Sequence, residues 1–416
     1  MYYSYPFDKM YQIIERTVIF DCEFNQELNG TILNDIASCN KIIFNNYDDL
    51  NICLMTNNKY YEKYREKRKV SRFNKCLDNL PNSIRDLTFG SNFNKPLNNL
   101  PHSIINLTLG YKFNQRLDNL PSSLINLTLG DYFNQSLNNL PSGIQNLTLG
   151  YYFNQHLNNL PSGIQNLTLG YYFNQRLNNL PSSLINLTLG HCFNQFLDNL
   201  PSEIRNLTLG QYFNRNVDNL PSSLINLTLG NSFNQPIDNL PSSIQNIKFG
   251  YYFNQCLDYL PSSIRNLTLG QYFNRPIDNL PSGIQNLTLG DYFNKCLDNL
   301  PSDIINLKLG WFFNQPVNNL PHGIRDLTFG YEFNQRLDNL PSSIQNLTLN
   351  RNFNQSLDYL PYSINKITFK SRHIYFKFNQ EIKKIPPNLI TIDISEIPNK
   401  SHLKKQFGKF NVEIIE

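Results

Sequence analysis

The sequence predicts a β-rich repeat solenoid, a chain wound into short coils whose strands stack into a parallel sheet. Three observations carry that prediction. From Phe73 to Arg372 a 20-residue phrase recurs 15 times without a slip in register. Six positions of the phrase are apolar in every copy, and the last two of them alternate with polar residues. Every copy has a proline at its ninth position, and 13 of 15 have a glycine at the eighteenth. Twenty residues bury too little apolar surface to fold alone, so the copies must stack and share one core.

In chain order, residues 1–46 read as an N-terminal cap. Val18 to Leu28 (VIFDCEFNQEL) matches the end of one unit running into the start of the next, and Ile36 to Phe44 fits a second weak strand. Residues 17–46 are therefore degenerate coils, the atypical terminal repeats that shield a solenoid's open end. Residues 47–72 break the pattern. Thr56 or Asn57 is placed to cap a helix over Tyr60 to Lys69, and the stretch from Lys59 carries six basic residues. A solvated flap over the first regular coils is preferred there to a helix docking on an acidic surface or nucleic acid.

The array spans residues 73–372. Numbering each unit from its Phe, the apolar positions are 1, 5, 8, 12, 15 and 17. Positions 15 and 17 alternate with Asn at 14 and Thr at 16, a period of two that predicts a short strand over positions 14–18. The proline at 9 lacks an N–H and opposes regular structure. The return is therefore expected to consist of polyproline-like or 3₁₀ turns. Glycine at 18 is expected to end the strand with a positive φ. Asn at position 2, present in all 15 copies, is expected to form an internal ladder in which each side-chain amide pairs with the next coil's backbone.

Residues 373–416 read as a degenerate repeat and a C-terminal cap. A five-residue insertion delays the next copy to Phe378–Ile394. A short helix near Ser401 to Phe407, stopped by Gly408, and a last strand over Phe410 to Ile415 would cover the sheet edge.

The phrase Phe-Asn-x-x-Leu-x-x-Leu-Pro-x-x-Ile-x-x-Leu-x-Leu-Gly resembles the FNIP repeat, a relative of the leucine-rich repeat found chiefly in amoebae and in giant DNA viruses that infect them. The resemblance implies an LRR-like right-handed coil with the parallel sheet on the concave face. Position 3 departs from the family's name motif, being Gln, Lys or Arg and never Ile. Proline at position 4 occurs only at Pro96, Pro236, Pro276 and Pro316. Related proteins often carry an N-terminal F-box, which implies an alternative role as substrate adaptor of a ubiquitin ligase. Residues 1–72 show no Leu-Pro start followed by a helical run, so any F-box is degenerate or missing.

Chemistry leaves few marks. The six histidines are scattered, and no two share a column in adjacent coils, so neither a metal site nor a triad has support. No GxxxxGK[ST] or GxGxxG is present. The expectation is a non-enzyme without cofactor or small-molecule substrate. A net charge of +4 is too near balance to argue for nucleic acid, and Arg85, Arg205, Arg265 and Arg325 at position 13 stand far apart in sequence. No apolar run approaches the roughly 18 residues that cross a bilayer.

Seven cysteines without CxxC spacing read as free thiols in a reducing compartment. Ten Asn-Leu-Thr triplets, seven of them in consecutive coils from Asn106 to Asn226, could not all carry glycans. Both features point to a cytoplasmic location, the host cytoplasm if the source is viral. The expected function is an intracellular protein–protein interaction scaffold. Position 19, which varies along the array, supplies the candidate contacts: Tyr111, Tyr151, Tyr171, Tyr251, Trp311 and Tyr331. Position 20, tyrosine in seven copies, is expected to be a half-buried column that shields the core.

Overall fold

The computed structural model describes residues 10–44, 71–371, 376–398 and 400–416. The basic stretch 59–69 with its expected helix, and His373 in the insertion, lie outside the described residues. The chain divides into two compact units, the first comprising Met1–Gln195 with Asn199–Ile204 and the second Phe196–Asp198 with Arg205–Glu416.

The first unit opens with a hairpin of β1 (Tyr11–Ile14) and β2 (Thr17–Phe20), paired antiparallel. Glu15 takes the left-handed conformation, φ 53°, that its tight turn requires. The sequence reading assigned no strand to residues 11–14. Strand β2 pairs in parallel with β3 (Lys41–Phe44), and between them runs the six-residue helix α1 (Gly30–Asp35), capped by the Asn29 side chain on the Ile32 N–H. Strand β3 pairs with β4 (Asp86–Thr88), the first strand of the regular array. Parallel strands follow at 20-residue steps, from β5 (Asn106–Thr108) to β9 (Asn186–Thr188), each in register with the one before.

The second unit repeats the arrangement from β10 (Asn206–Thr208) to β16 (Asp326–Thr328), again parallel and in register. It continues through β17 (Asn346–Asn350), β18 (Lys366–Lys370) and β19 (Thr391–Glu396). Helix α2 (Ser401–Phe407) closes on Gly408, whose N–H donates to Lys404 O at 2.8 Å. The chain ends in β20 (Glu413–Ile415), parallel to β19. Leu403 and Phe407 bury against the last coils, so α2 covers apolar surface that a further repeat would otherwise fill.

Positions 1, 5, 12, 15 and 17 are buried in every array coil and form the core of both units, while the position-8 leucine is half-buried in several coils, such as Leu120 and Leu240. The position-1 rings stack at 6.0–6.2 Å from Phe73 to Phe193 and at 6.0–6.3 Å from Phe213 to Phe378. Where position 17 is also Phe, as at Phe89, Phe249 and Phe329, its ring lies 3.7–3.9 Å from the next position-1 ring.

Two local expectations need correction. The array strands cover positions 14–16, not 14–18, except in β17 and β18. These are the two coils whose position 18 is Asn350 or Lys370 instead of glycine. The glycines have no positive φ; they are needed because the coils touch there. A Cβ on Gly110 would lie 1.9 Å from Gly90 O, and one on Gly310 would lie 1.9 Å from Gly290 O.

The returns are irregular, as expected, with isolated turns closed by i→i+3 bonds of the 3₁₀ kind. They are single turns linked by extended residues, such as Ile144 N–H to Pro141 O at 3.3 Å and Phe153 N–H to Gly150 O at 3.2 Å. The proline at 9 contributes its carbonyl to such a turn, a role its missing N–H does not hinder.

Polar ladders join the coils. Within each unit the position-2 asparagine accepts from the backbone N–H of its successor, as in Asn94 N–H to Asn74 Oδ1 at 2.9 Å and Asn254 N–H to Asn234 Oδ1 at 2.9 Å. Position-14 amides form a second ladder, each Nδ2 donating to the Oδ1 one coil back: Asn126 to Asn106 and Asn146 to Asn126 in the first unit, Asn246 to Asn226 in the second. A serine hydroxyl at position 11 donates to the position-12 carbonyl of the previous coil, as Ser123 does to Ile104 at 2.6 Å.

Candidate interaction surface

Positions 19 and 20 form the turn that leads from strand to core phenylalanine. Two backbone bonds fix it. The position-1 N–H closes the turn on the position-18 carbonyl, and the position-20 N–H reaches the position-19 carbonyl of the previous coil, as from Tyr172 to Tyr151 at 3.0 Å and Glu332 to Trp311 at 2.9 Å. The glycine at 18 lets adjacent turns approach this closely. Side chains of the same column are therefore held one coil apart, within ring-stacking reach.

In the first unit this yields a continuous aromatic patch. Tyr151 stacks on Tyr171 with centroids 4.5 Å apart, and Tyr171 meets His191 at 4.5 Å. Tyr111 reaches Tyr132 at 4.8 Å, Tyr132 reaches Tyr152 at 4.9 Å, and Tyr152 stacks on Tyr172 at 5.5 Å. The hydroxyl of Tyr132 beside it, with burial and the neighbouring Tyr152 and Asp131, raises the Tyr111 phenol above its ordinary range. Burial among Tyr172 and Tyr171 raises Tyr151 likewise. Both rings stay protonated at neutral pH and can donate as well as accept.

The second unit has its own patch. Trp311 stacks on Tyr331 at 3.9 Å, and Tyr252, Tyr272, Tyr292 and Phe312 form a row at 4.8–5.4 Å. Tyr251 stands between Asn231 and Gln271 in its own column and has no ring there to stack on.

The six residues singled out from the sequence thus share one position of the coil but differ in accessibility. Tyr111, Tyr151 and Tyr251 are exposed, whereas Tyr171, Trp311 and Tyr331 are half-buried by their neighbours. The position-20 column was expected to be the more buried. It is the more open: Tyr132, Tyr152, Tyr172, Tyr212, Tyr252, Tyr272, Tyr292 and Phe312 are all 40–57% exposed. Sequence reasoning passed over these residues because both positions lie in one turn and periodicity cannot say which points outward. Their recurrence in a column was the available signal.

Where rings stack, as Tyr151 on Tyr171 and Trp311 on Tyr331, they present edges and hydroxyls; where they meet edge to face, as Tyr111 and Tyr132, part of a face stays open. That geometry suits the varied apolar and hydrogen-bonding contacts of a protein surface. Among the described residues no group of three or more His, Cys, Asp or Glu side chains comes together.

The FNIP repeat model matches residues 73–112, 113–152, 153–192, 193–232, 233–272, 273–312, 298–332 and 333–371. Among solved structures, the chain is similar to CroV588, a circular LRR protein of a giant virus, with 35% identity and a TM-score of 0.80. The similarity covers 93% of this chain and 58% of CroV588, so the chain spans little more than half of that protein's length. It is also similar to YopM from Yersinia enterocolitica WA-314, with 19% identity, a TM-score of 0.46, and coverage of 85% of this chain and 87% of YopM. No curated protein matches. With FNIP repeats matched over most of its length, the chain belongs to the FNIP-repeat family, an LRR-like group.

Proposed function

We propose that this protein is a non-catalytic interaction scaffold that binds a protein partner through the aromatic columns at positions 19 and 20. One observation carries the reading: the array keeps large rings in contact with solvent in runs of consecutive coils, whereas other exposed rings, such as Phe196, Tyr259 and Tyr362, form no such column. Contiguous exposed apolar surface on a folded protein marks an interaction site, and clustered Tyr and Trp are the residues from which interface energy is drawn. No observation favours the ubiquitin-ligase adaptor reading, whose segment lies partly outside the described residues.

The proposed location is the cytoplasm. Its support is the free thiols of Cys39, Cys76, Cys192, Cys256 and Cys296, together with Asn-Leu-Thr amides that are engaged in the position-14 ladder. Among the described residues no helix is long and apolar enough to cross a membrane.

The test is affinity capture of the full chain from its native cell, beside a variant carrying Tyr132→Ala, Tyr151→Ala and Tyr152→Ala. A partner recovered with the native chain and lost with the variant supports the reading. A set of captured proteins that does not change contradicts it.

A further inference from the structure

The second unit carries a row of cations that the aromatic columns do not explain. Position 16 is threonine in every array coil of the first unit, but Lys248 and Lys308 occupy it in the second. Arg205, Arg265 and Arg325 stand three residues before this column in their own coils, at the leading edge of the strand. All five are exposed. Both sets recur every 60 residues, which is every third coil. At about 4.8 Å per strand, each set is spaced at about 14 Å, and together they span six coil steps, about 29 Å.

The lysines point away from the core. Lys248 lies between Thr228 and Thr268 in register, and Lys308 between Thr288 and Thr328. No carboxylate stands beside either across the sheet at position 16. The last coils of the same sheet are built differently: Lys366 pairs with Asp393 at 3.1 Å and Lys370 with Glu396 at 3.1 Å, each one strand away. Carboxylates near the row are Asp326, which accepts from Asn346 Nδ2, Asp303, beside Ser302, and Glu203, two residues before Arg205. Of the arginines, Arg265 donates to Gly283 O at 3.0 Å, which orders the side chain and leaves its charge uncompensated.

Spacing of about 14 Å exceeds the Debye length of about 8 Å at physiological ionic strength. The cations of each set therefore repel one another little, and the row costs the fold little. It is also too sparse for nucleic acid, whose duplex presents a charge per about 1.7 Å. It matches an extended polypeptide, which rises about 3.3 Å per residue and would place a side chain opposite successive cations of one set about every four residues.

We infer that the strand face of the second unit, through Lys248, Lys308, Arg265 and their neighbours, binds an extended acidic segment of a partner protein lying across the strands. This rests on the scaffold reading only in taking the partner to be a protein; the side chains differ, Lys248 and Lys308 preceding Tyr251 and Trp311 of the aromatic columns by three residues.

The test uses the full chain and a fluorescein-labelled 20-residue oligoglutamate, read by fluorescence anisotropy at 50 and 150 mM salt. The main variant is Lys248→Thr with Lys308→Thr, which restores the residue most coils have and so leaves the fold intact. A second variant adds Arg265→Gln, also a native choice for its column. The expected result is saturable binding that weakens with salt, falls at least fivefold in the double variant and falls further in the triple. Tyr252→Ala with Tyr272→Ala, in the second unit's own aromatic row, should leave it unchanged, so this surface and the aromatic one fail or stand separately. No saturable binding, equal binding by the double variant, or tighter binding of 20-nucleotide poly(U) than of oligoglutamate would overturn the proposal.

Discussion

The side-chain oxygen of Asn134 accepts a hydrogen bond from the backbone N–H of Asn154, one coil further on, at 2.9 Å. It also receives the Gln155 side-chain amide at 3.3 Å. The position-2 column thus links backbone to backbone on the return side, where no sheet ladder runs. Asn134→Ala strands both donors and should cost about 0.5–1.5 kcal/mol, read as a lower urea midpoint. Asn134→Asp keeps the acceptor and should lose less. Equal losses would show that the column holds by packing alone.

Close contact between coils makes a sharper prediction at glycine. A Cβ on Gly150 would lie 2.0 Å from Gly130 O, a clash with backbone that no rotamer relieves. Gly150→Ala should destabilise the first unit by about 1–3 kcal/mol. Gly30, at the start of α1, has nothing within 4 Å of its Cβ position; there, alanine should be neutral or stabilising by up to about 1 kcal/mol. Thermal melts of the two variants should move in different directions or by clearly different amounts.

The C-terminal cap should be sensitive to acid. Burial pushes the Asp358 carboxyl upward, but the N–H groups of Lys383 and Lys384, at 3.0 and 3.2 Å, with the Ser356 hydroxyl and the Lys383 charge, outweigh it and hold the group below its ordinary value. A carboxyl depressed in the folded state stabilises above its unfolded pKa of about 4. That contribution is lost as pH falls through the lower folded value. Native protein should therefore exceed Asp358→Asn in urea midpoint at pH 6, and the gap should narrow steadily below pH 4. A gap independent of pH would contradict this assignment.

Phe407 is fully buried, 5.9 Å from Phe369 between ring centroids. Phe407→Ala should cost about 3–5 kcal/mol locally. Because solenoid coils contact only their neighbours, the loss should stay in the cap. Limited proteolysis is expected to remove residues after about 398 while circular dichroism of the array persists. Simultaneous loss of both would mean that cap and array unfold as one unit.

The fold was legible because every level of the repeat agreed. Alternation at positions 14–17, the proline at 9 and the invariant Asn at 2 each admitted one arrangement once copies were stacked. What escaped reading depends on neighbouring coils. The role of glycine at 18 is set by the carbonyl of the previous coil, a contact 20 residues distant in sequence, and local φ preference gave the wrong reason for it.

The position-14 ladder was equally hidden. Its polarity shows in the ends: Asp86 and Asp326 accept from Asn106 and Asn346 but have no amide to pass on, so each terminates a run. Position 20 was misplaced because a turn has no periodicity from which direction can be read. Strand β1 escaped because it pairs antiparallel, outside the repeat's own rule.

The most direct test of the account is tyrosine nitration of the native chain, free and in complex with a captured partner, mapped by mass spectrometry. If the aromatic columns are the interface, Tyr132, Tyr151, Tyr152 and Tyr172, or the second unit's Tyr252, Tyr272 and Tyr292, should be modified in the free protein and protected in the complex. Tyr259 and Tyr362, exposed elsewhere on the coils, should react equally in both. Protection confined to those outlying tyrosines, with both columns still reactive, would contradict the central claim.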